Sequence, residues 1–360
     1  MLHILLVILA LVGCWYHIVL HFDFDFGYEV WLYLCFAFWA ADRAARLGRV
    51  LYYNGLSGSR AILEPISGCD IVQVTVFPRS MRGFGPATHS FLYLRSVRFW
   101  ESHPFSVAAW TATSLSTPKS AEHKTDHAVA ADDEKGVIVH HLDAETNTPT
   151  PNTANAPTIK FMIRPRKGMT RHIQTYLRSS TGPSLPKEIR VYTEGPYSGH
   201  RATLTPLYAA DTILCVAGGI GITHILGFLQ GINTTTGEKG RKFRAERIML
   251  AWSAREGALM DHVKREFLGD FRGECLFFCT GKITDQEAHG HESSGQQGLS
   301  DARKGRMNIA EVLRGAVGKT HHTAVLVCAP GAMADEVTRE VVKCVGEGFR
   351  VDLVEEAFAW

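Results

Sequence analysis

Two stretches of the chain carry residues whose types and spacing suit redox cofactor chemistry. Gly218-Gly219-Ile220-Gly221-Ile222-Thr223 follows the apolar run ILCVAGG and opens a helical pattern. Glycines at a strand-to-helix turn let the backbone approach a pyrophosphate, whose charge meets the free N–H groups and dipole of the helix start. The spacing is not GxGxxG, so a plain tight turn is the competing reading. Glu101-Ser102-His103-Pro104-Phe105-Ser106-Val107, taken with Arg164 and Gly168-Met169-Thr170, has the composition of a flavin cradle. It offers an aromatic to stack on the ring, a hydroxyl for a ring nitrogen, and basic or backbone donors for phosphates. Singly each of these residues reads as structural; in this order they become specific.

His3 and His17 stand in a different setting. Residues 2–22 hold no acidic, Lys or Arg side chain and reach the ~20 residues that span a hydrocarbon core as a helix. A signal peptide is the alternative, but it opens with a basic region and ends in a small-residue cleavage site, and neither is present. A second apolar run, Gly27 to Ala41, continues as the amphipathic DRAARLGRVLYYN, with Arg43, Arg46 and Arg49 at its end. The positive-inside tendency puts that end in the cytosol and the loop of Asp23 and Asp25 outside. Fourteen residues at ~100° each bring His17 within about 40° of His3, roughly 21 Å along the axis. Imidazoles so placed suit one axial ligand to each of two stacked haems; the plainer reading is that both snorkel near helix ends. His21 reads as interfacial. No second histidine pair lies in these spans, so metal ligation by His3 and His17 is conditional on a partner helix. The chain therefore reads as N-terminally truncated, or as one whose haem helices come from another polypeptide.

Composition narrows the classes. At 360 residues the chain is long enough for two or three units. A net charge of +2, from 38 basic and 36 acidic side chains, gives no bias toward a polyanion, and nucleic acid is not an expected partner. The eight cysteines are scattered, several in apolar runs where a thiol behaves as a small hydrophobe. Cys275, Cys279, His289 and His291 are too irregularly spaced for a zinc site.

The elements that must position these residues follow from periodicity. After Asn54 come short β-rich runs such as DIVQVTVF and HSFLYLRS, which predict an antiparallel barrel. Residues 111–157 are Ser, Thr, Pro, Asp and His with little apolar content, and read as a disordered insert before TIKFMIRP resumes the pattern. From Leu207 strand and helix alternate, which predicts a parallel sheet with helices on both faces. A second insert is expected over Thr284–Arg306. The boundaries are 1–53 for the membrane helices, 54–206 for the barrel and 207–360 for the α/β domain.

HPFS, RPRKGMT, EGPYSG, GGIGIT, CAPGAM and the terminal EEAFAW occur in the order seen in ferric reductases and NADPH oxidases, and the chain most resembles the fungal metalloreductase branch. That resemblance implies a ferredoxin–NADP reductase-like fold: membrane α-helices, an antiparallel β-barrel binding FAD and an α/β domain binding NADPH. It implies that His103, Pro104, Phe105 and Ser106 hold the flavin ring, and that Arg164, Gly168 and Thr170 hold FAD phosphates. Glu194-Gly195-Pro196-Tyr197 is the family's turn toward the nucleotide domain, either a ligand contact or a rigid bend. For NADPH the resemblance points to Gly218, Gly219, Gly221 and Thr223 at the pyrophosphate, with Trp252 and Arg255 at the strand end. Arg255 is either a 2′-phosphate ligand or a solvated cation. Cys328, Gly331 and Met333 fall where the nicotinamide lies, with Ala329 where many relatives have Gly. Phe358 and Trp360 match terminal aromatics that cover the flavin, or else pack in the core. Ser106, Cys328 and Trp360 are the expected catalytic group. The implied reaction passes electrons from NADPH through FAD, and haem b in a complete enzyme, to a ferric or cupric chelate. Reduction of oxygen to superoxide and a haem-free diaphorase or regulatory fragment are the alternatives. The expected setting is a lipid membrane, the plasma membrane, with both nucleotide-binding domains cytosolic.

Overall fold

The computed structural model describes residues 2–22, 27–94, 99–111, 156–178, 186–198, 204–233, 243–281 and 302–356. The two N-terminal apolar runs fold as helices α1 (Leu2–Phe22) and α2 (Tyr28–Asn54), joined by Trp15 against Tyr33 at 5.6 Å between ring centroids. Large apolar side chains of both, including Leu9, Leu20, Trp31, Phe38 and Trp39, face outward. Among the described residues no helix is long and apolar enough to cross a membrane.

The first sheet has seven antiparallel strands, β1 (Ser59–Pro65), β2 (Val72–Phe77), β3 (Thr88–Leu94), β4 (Phe99–Ser106), β5 (Ala109–Thr111), β6 (Thr158–Ile163) and β7 (Lys187–Ser198), in the order β4-β3-β7-β1-β2-β6-β5. Its edge strands, β4 and β5, are consecutive in the chain, with only Val107 and Ala108 between them. Such a link reaches roughly 11 Å, so the sheet must curl until its edges nearly meet. Burial alternates along β1 and β3, as period-two side chains on a curled sheet require, and the inward set includes Leu63, Val74, Leu92 and Phe161. Helix α3 (Met169–Arg178) closes this core with Met169, Ile173 and Leu177, a stripe spaced by four.

The second sheet is parallel: β8 (Thr212–Gly218), β9 (Arg247–Ala254), β10 (Glu274–Cys279), β11 (Ala302–Lys304), β12 (Thr323–Cys328) and β13 (Val351–Glu355), ordered β11-β10-β9-β8-β12-β13. The helices between its strands are α5 (Ile222–Asn233), α6 (Gly257–Phe267), α7 (Ile309–Ala316) and α8 (Gly331–Gly346), and the short α4 (Thr205–Ala209) precedes β8. Every residue of the central β8 and β12 is buried, as strands covered on both faces must be, and separate cores lie on the two faces.

Two expectations are corrected here. The end of the second insert is ordered: Ala302–Lys304 pairs in parallel with Phe277–Cys279, and the amide of Gly305 donates to the Cys279 carbonyl at 2.9 Å. The edge of β10 supplies hydrogen bonds that a composition argument does not see. Thr111, likewise, ends β5 rather than beginning an insert, because it pairs with Thr158. Of the two inserts, residues 112–155 and 284–301 lie outside the described residues.

Candidate functional site

A cavity of about 690 Å³ opens between the two sheets, within the range of small-molecule sites. From the curled sheet come His103, Pro104, Phe105 and Ser106 at the end of β4; from the β6–α3 connection and the first turn of α3 come Arg164, Arg166, Lys167 and Thr170. The parallel sheet supplies Gly218, Ile220, Gly221 and Thr223 after β8, and Ala329 and Pro330 after β12. The structure thus brings together nine residues expected from sequence, four of β4, two of the β6–α3 connection and first turn of α3, and three of the glycine turn, with Met162 and Ile163 as additional apolar lining.

Pairing with β3 sets the β4 residues: Phe105 lies opposite Ser90 and Ser106 opposite His89. Ser106 is buried and Phe105 half-buried against the barrel core. In the β6–α3 connection the Thr170 hydroxyl donates to the Lys167 carbonyl at 3.1 Å and accepts from the Arg166 amide at 3.0 Å. Gly168, at φ 66°, makes that tight bend possible. Arg164 donates through Nη2 to Glu256 at 3.0 Å, across to the other sheet. Its Nε is buried with no hydrogen-bond partner among the described residues. An unmet buried donor costs on the order of 1–3 kcal/mol, and a phosphate oxygen from a ligand in the cavity would satisfy it. The basic, phosphate-ready connection beside an aromatic and a hydroxyl fits FAD.

The glycine turn is shaped by close approach. A Cβ on Gly221 would stand 2.2 Å from the Cys328 carbonyl oxygen, and one on Gly218 would stand 2.5 Å from Pro330 Cδ and 3.1 Å from Met333 Sδ. Gly219 has φ +55° and open space beside it. Thr223 donates to the Ile220 carbonyl at 2.8 Å. The Trp252 indole N–H donates to the Gly219 carbonyl at 3.0 Å from a fully buried ring, 0% exposed. Trp252, expected at the ligand, therefore braces the turn from behind: its ring is buried in the core beside Phe277, 6.3 Å between centroids, and does not line the cavity. The starts of α5 and α8 both lie at this opening, and Gly331 is the first residue of α8; two helix N-termini favour an anionic ligand.

Cys328 is buried at the end of β12, and burial, then the nearby Glu356, pushes its thiol far up; it acts as a neutral side chain, not a thiolate. Arg255 is exposed just past β9 and has no ion-pair partner among the described residues. Phe358 and Trp360 lie outside the described residues, as does the side chain of His3. His17 is exposed and stacks on His21 at 5.3 Å, and no cluster of three or more metal-ligating side chains occurs among the described residues. Arg166, Lys167 and Pro330 were not singled out from sequence, although they stand inside the RPRKGMT and CAPGAM runs; Ala329, noted there only as standing where many relatives have Gly, also lines the cavity.

Glu194-Gly195-Pro196-Tyr197 is not a turn toward the second sheet but part of β7. Glu194, 1% exposed, receives hydrogen bonds from Arg46 Nε at 2.7 Å, Arg46 Nη2 at 3.1 Å, Tyr197 at 2.7 Å and Tyr93. Burial pushes its carboxyl up, and the donors from Arg46, Tyr93 and Tyr197 outweigh this and hold it below the usual carboxylate range. Asn54 adds a second tie: its side chain donates to the Thr193 carbonyl at 2.7 Å and accepts from the Thr193 amide at 2.8 Å. The last turns of α2 are thereby fixed to the barrel.

Residues 210–342 match the ferric reductase NAD binding domain. All of the chain aligns, at 23% identity, with 48% of "Ferric reductase transmembrane component 4" of Saccharomyces cerevisiae. With component 5 of the same yeast it shares 25% identity, over 99% of the chain and 45% of the relative. The chain spans about half the length of these curated relatives. Among solved structures, the flavohem-like FAD/NAD binding domain of nitric oxide dioxygenase from Vibrio cholerae aligns with 84% of the chain and 99% of its own length, at 9% identity and a TM-score of 0.46. The resemblance read from the motifs is borne out as a similarity: residues 210–342 match the ferric reductase NAD binding domain, and the chain is similar along its whole length to ferric and cupric reductase components of yeast.

Proposed function

We propose that the chain is the dehydrogenase portion of a membrane metalloreductase, passing electrons from NADPH by way of FAD to a ferric or cupric chelate. One observation carries this reading: the β4 end and the glycine turn, from two separate sheets, line one cavity. FAD, when bound, supplies the conversion of a two-electron hydride into single electrons. Phe105 and Ser106 would border its ring, and Arg164, Arg166 and Lys167 its phosphates. Gly218, Gly219, Gly221 and Thr223 would hold the dinucleotide pyrophosphate, and Arg255 the 2′-phosphate that separates NADPH from NADH. Pro330 and Met333 press on the glycine turn from the β12–α8 side, so nicotinamide and flavin would share one enclosed space and the chain's task is to orient them.

Membrane association is supported by the outward apolar side chains of α1 and α2 and by the transmembrane naming of the relatives; the plasma membrane is the setting we assign. His17 offers an imidazole to haem, and α2 contains no histidine, so a haem b held here would take its opposite ligand from a further helix.

The test is anaerobic addition of NADPH to the purified chain loaded with FAD, followed by a ferric chelate. The flavin absorbance should bleach and then return as the chelate is reduced, with superoxide dismutase in aerobic assays leaving the rate unchanged. A flavin that stays oxidised, or a chelate reduction abolished by the dismutase, overturns the proposal.

A further inference from the structure

Helix α5 begins at the glycine turn and then lies on the curled sheet. Its contacts fall on one stripe, His224, Gly227 and Gly231, spaced by three and four as one helical face demands. A Cβ on Gly227 would stand 2.3 Å from the Val107 carbonyl oxygen, and one on Gly231 would stand 2.1 Å from Cγ, 2.9 Å from Cβ and 3.2 Å from Cδ of Pro86. Both glycines are buried, and only their missing side chains allow the helix backbone so near. Val107 is the residue directly after the HPFS run, part of the two-residue link that closes the curled sheet, and its amide is itself pinned to the Thr88 carbonyl at 3.0 Å. Between the glycines, Gln230 clasps the backbone of a single barrel residue, Trp110, through both its amide and its carbonyl. Its Oε1 accepts from the Trp110 amide at 2.9 Å and its Nε2 donates to the Trp110 carbonyl at 2.5 Å.

We propose that Gly227, Gln230 and Gly231 are positioning residues that set the distance between the two halves of the cavity, α5 acting as a rigid spacer. One end of the helix carries the turn assigned to the dinucleotide, and its flank rests on the residue after the strand assigned to the flavin. A shift of the helix away from Val107 therefore moves one site relative to the other, and a displacement of ~1 Å between reacting rings is enough to slow transfer by as much as a hundredfold. The inference rests on the reading of this cavity as the meeting place of flavin and nicotinamide.

Gly231→Ala forces α5 off Pro86, and Pro86→Gly removes the three atoms nearest the added methyl group, Cγ, Cβ and Cδ. The full chain carrying each substitution, and both together, would be loaded with FAD and mixed anaerobically with NADPH in a stopped-flow instrument. Exchange of the Trp110 amide with deuterium would be followed in parallel without NADPH. Gly231→Ala should retain FAD and bind 2′,5′-ADP as the parent does, reduce flavin at least about tenfold more slowly, and exchange the Trp110 amide faster. Pro86→Gly alone should match the parent, and the double variant should regain the parent's rate and protection. Gly231→Ala at the parent's rate, or a slow variant that Pro86→Gly does not rescue, overturns the proposal. Should Gly231→Ala not fold, Gln230→Ala decides, since it removes the clasp without adding an atom: faster Trp110 exchange with slower flavin reduction supports the spacer, and faster exchange with unchanged reduction overturns it. A parent chain whose flavin NADPH cannot reduce would instead defeat the reading of the cavity itself, while the exchange data would still report whether α5 holds the sheets together.

Discussion

At the residue scale, the site depends on atoms that are absent as much as on those present. Gly221→Ala would drive a methyl group to 2.2 Å from the Cys328 carbonyl oxygen, and backbone on both sides leaves no flexible group to yield. The turn after β8 must open, so we expect NADPH-dependent flavin reduction to fall by at least about a hundredfold with FAD retained; an isotherm for 2′,5′-ADP should show the loss in binding. Trp252→Phe removes one hydrogen bond to Gly219 while keeping most of the buried ring, a loss of about 1 kcal/mol, read as a several-fold weaker 2′,5′-ADP affinity. An unchanged affinity would mean the turn holds its shape without the indole. The glycines, Ser106 and Arg164 were legible in sequence because their chemistry requires those residue types at a strand end or a helix start. Trp252 was misassigned because its role depends on which way a strand residue faces, and WSAR reads equally well with either face toward the ligand.

At the scale of elements, the joint between α2 and β7 is the clearest case of a motif whose type was visible and whose purpose was not. Arg46 was legible as one of three cations flanking an apolar run, and Glu194 as the start of a Gly-Pro segment, but nothing in their 148-residue separation announces that they meet. The alternation of strand and helix after Leu207 was readable from period alone; β11 was not, since three residues at a sheet edge take their stability from the partner strand. The Glu194 carboxyl is held below its ordinary value in the folded chain. A group so shifted contributes stability that is present above the ordinary carboxylate pKa and is lost as pH falls through the lowered folded value. Glu194→Gln should therefore flatten the acid limb of the stability curve. Arg46→Ala leaves a buried carboxylate with only its two tyrosine donors and should cost about 2–3 kcal/mol, less than a fully buried pair because Arg46 is partly solvated. Faster amide exchange over the last two turns of α2, with flavin binding intact, is the expected signature. Equal exchange in parent and variant would show that Asn54 and the other contacts of the helix end, such as Arg49 over the Tyr197 ring, secure the helix without Arg46.

At the scale of the whole molecule, two sheets with separate cores must stay in one relation for a cavity between them to function, and the groups along the seam predict how that relation responds to acid. His224, on the barrel-facing stripe of α5, is buried, and burial together with the nearby His89 pulls its pKa down to about 4. Burial also lowers His89. His262, whose Nε2 lies 2.8 Å from Gln73 Oε1 across the same seam, is likewise lowered by burial. In each case the folded pKa lies below the unfolded value near 6.5, so the unfolded chain binds more protons as the pH drops beneath it. Stability is then complete above about pH 6.5 and declines down to about pH 4, with His224 alone accounting for on the order of 2–3 kcal/mol. Neutral polar replacement tests this: in His224→Gln the denaturation midpoint should vary less steeply with pH across that window than in the parent, while Glu194→Gln should change the slope only at the acid end. If the parent's midpoint is level between pH 6.5 and 4, or if His224→Gln keeps the full slope, the imidazoles do not sit neutral in the seam and the sheets are held by something other than the packing of α5.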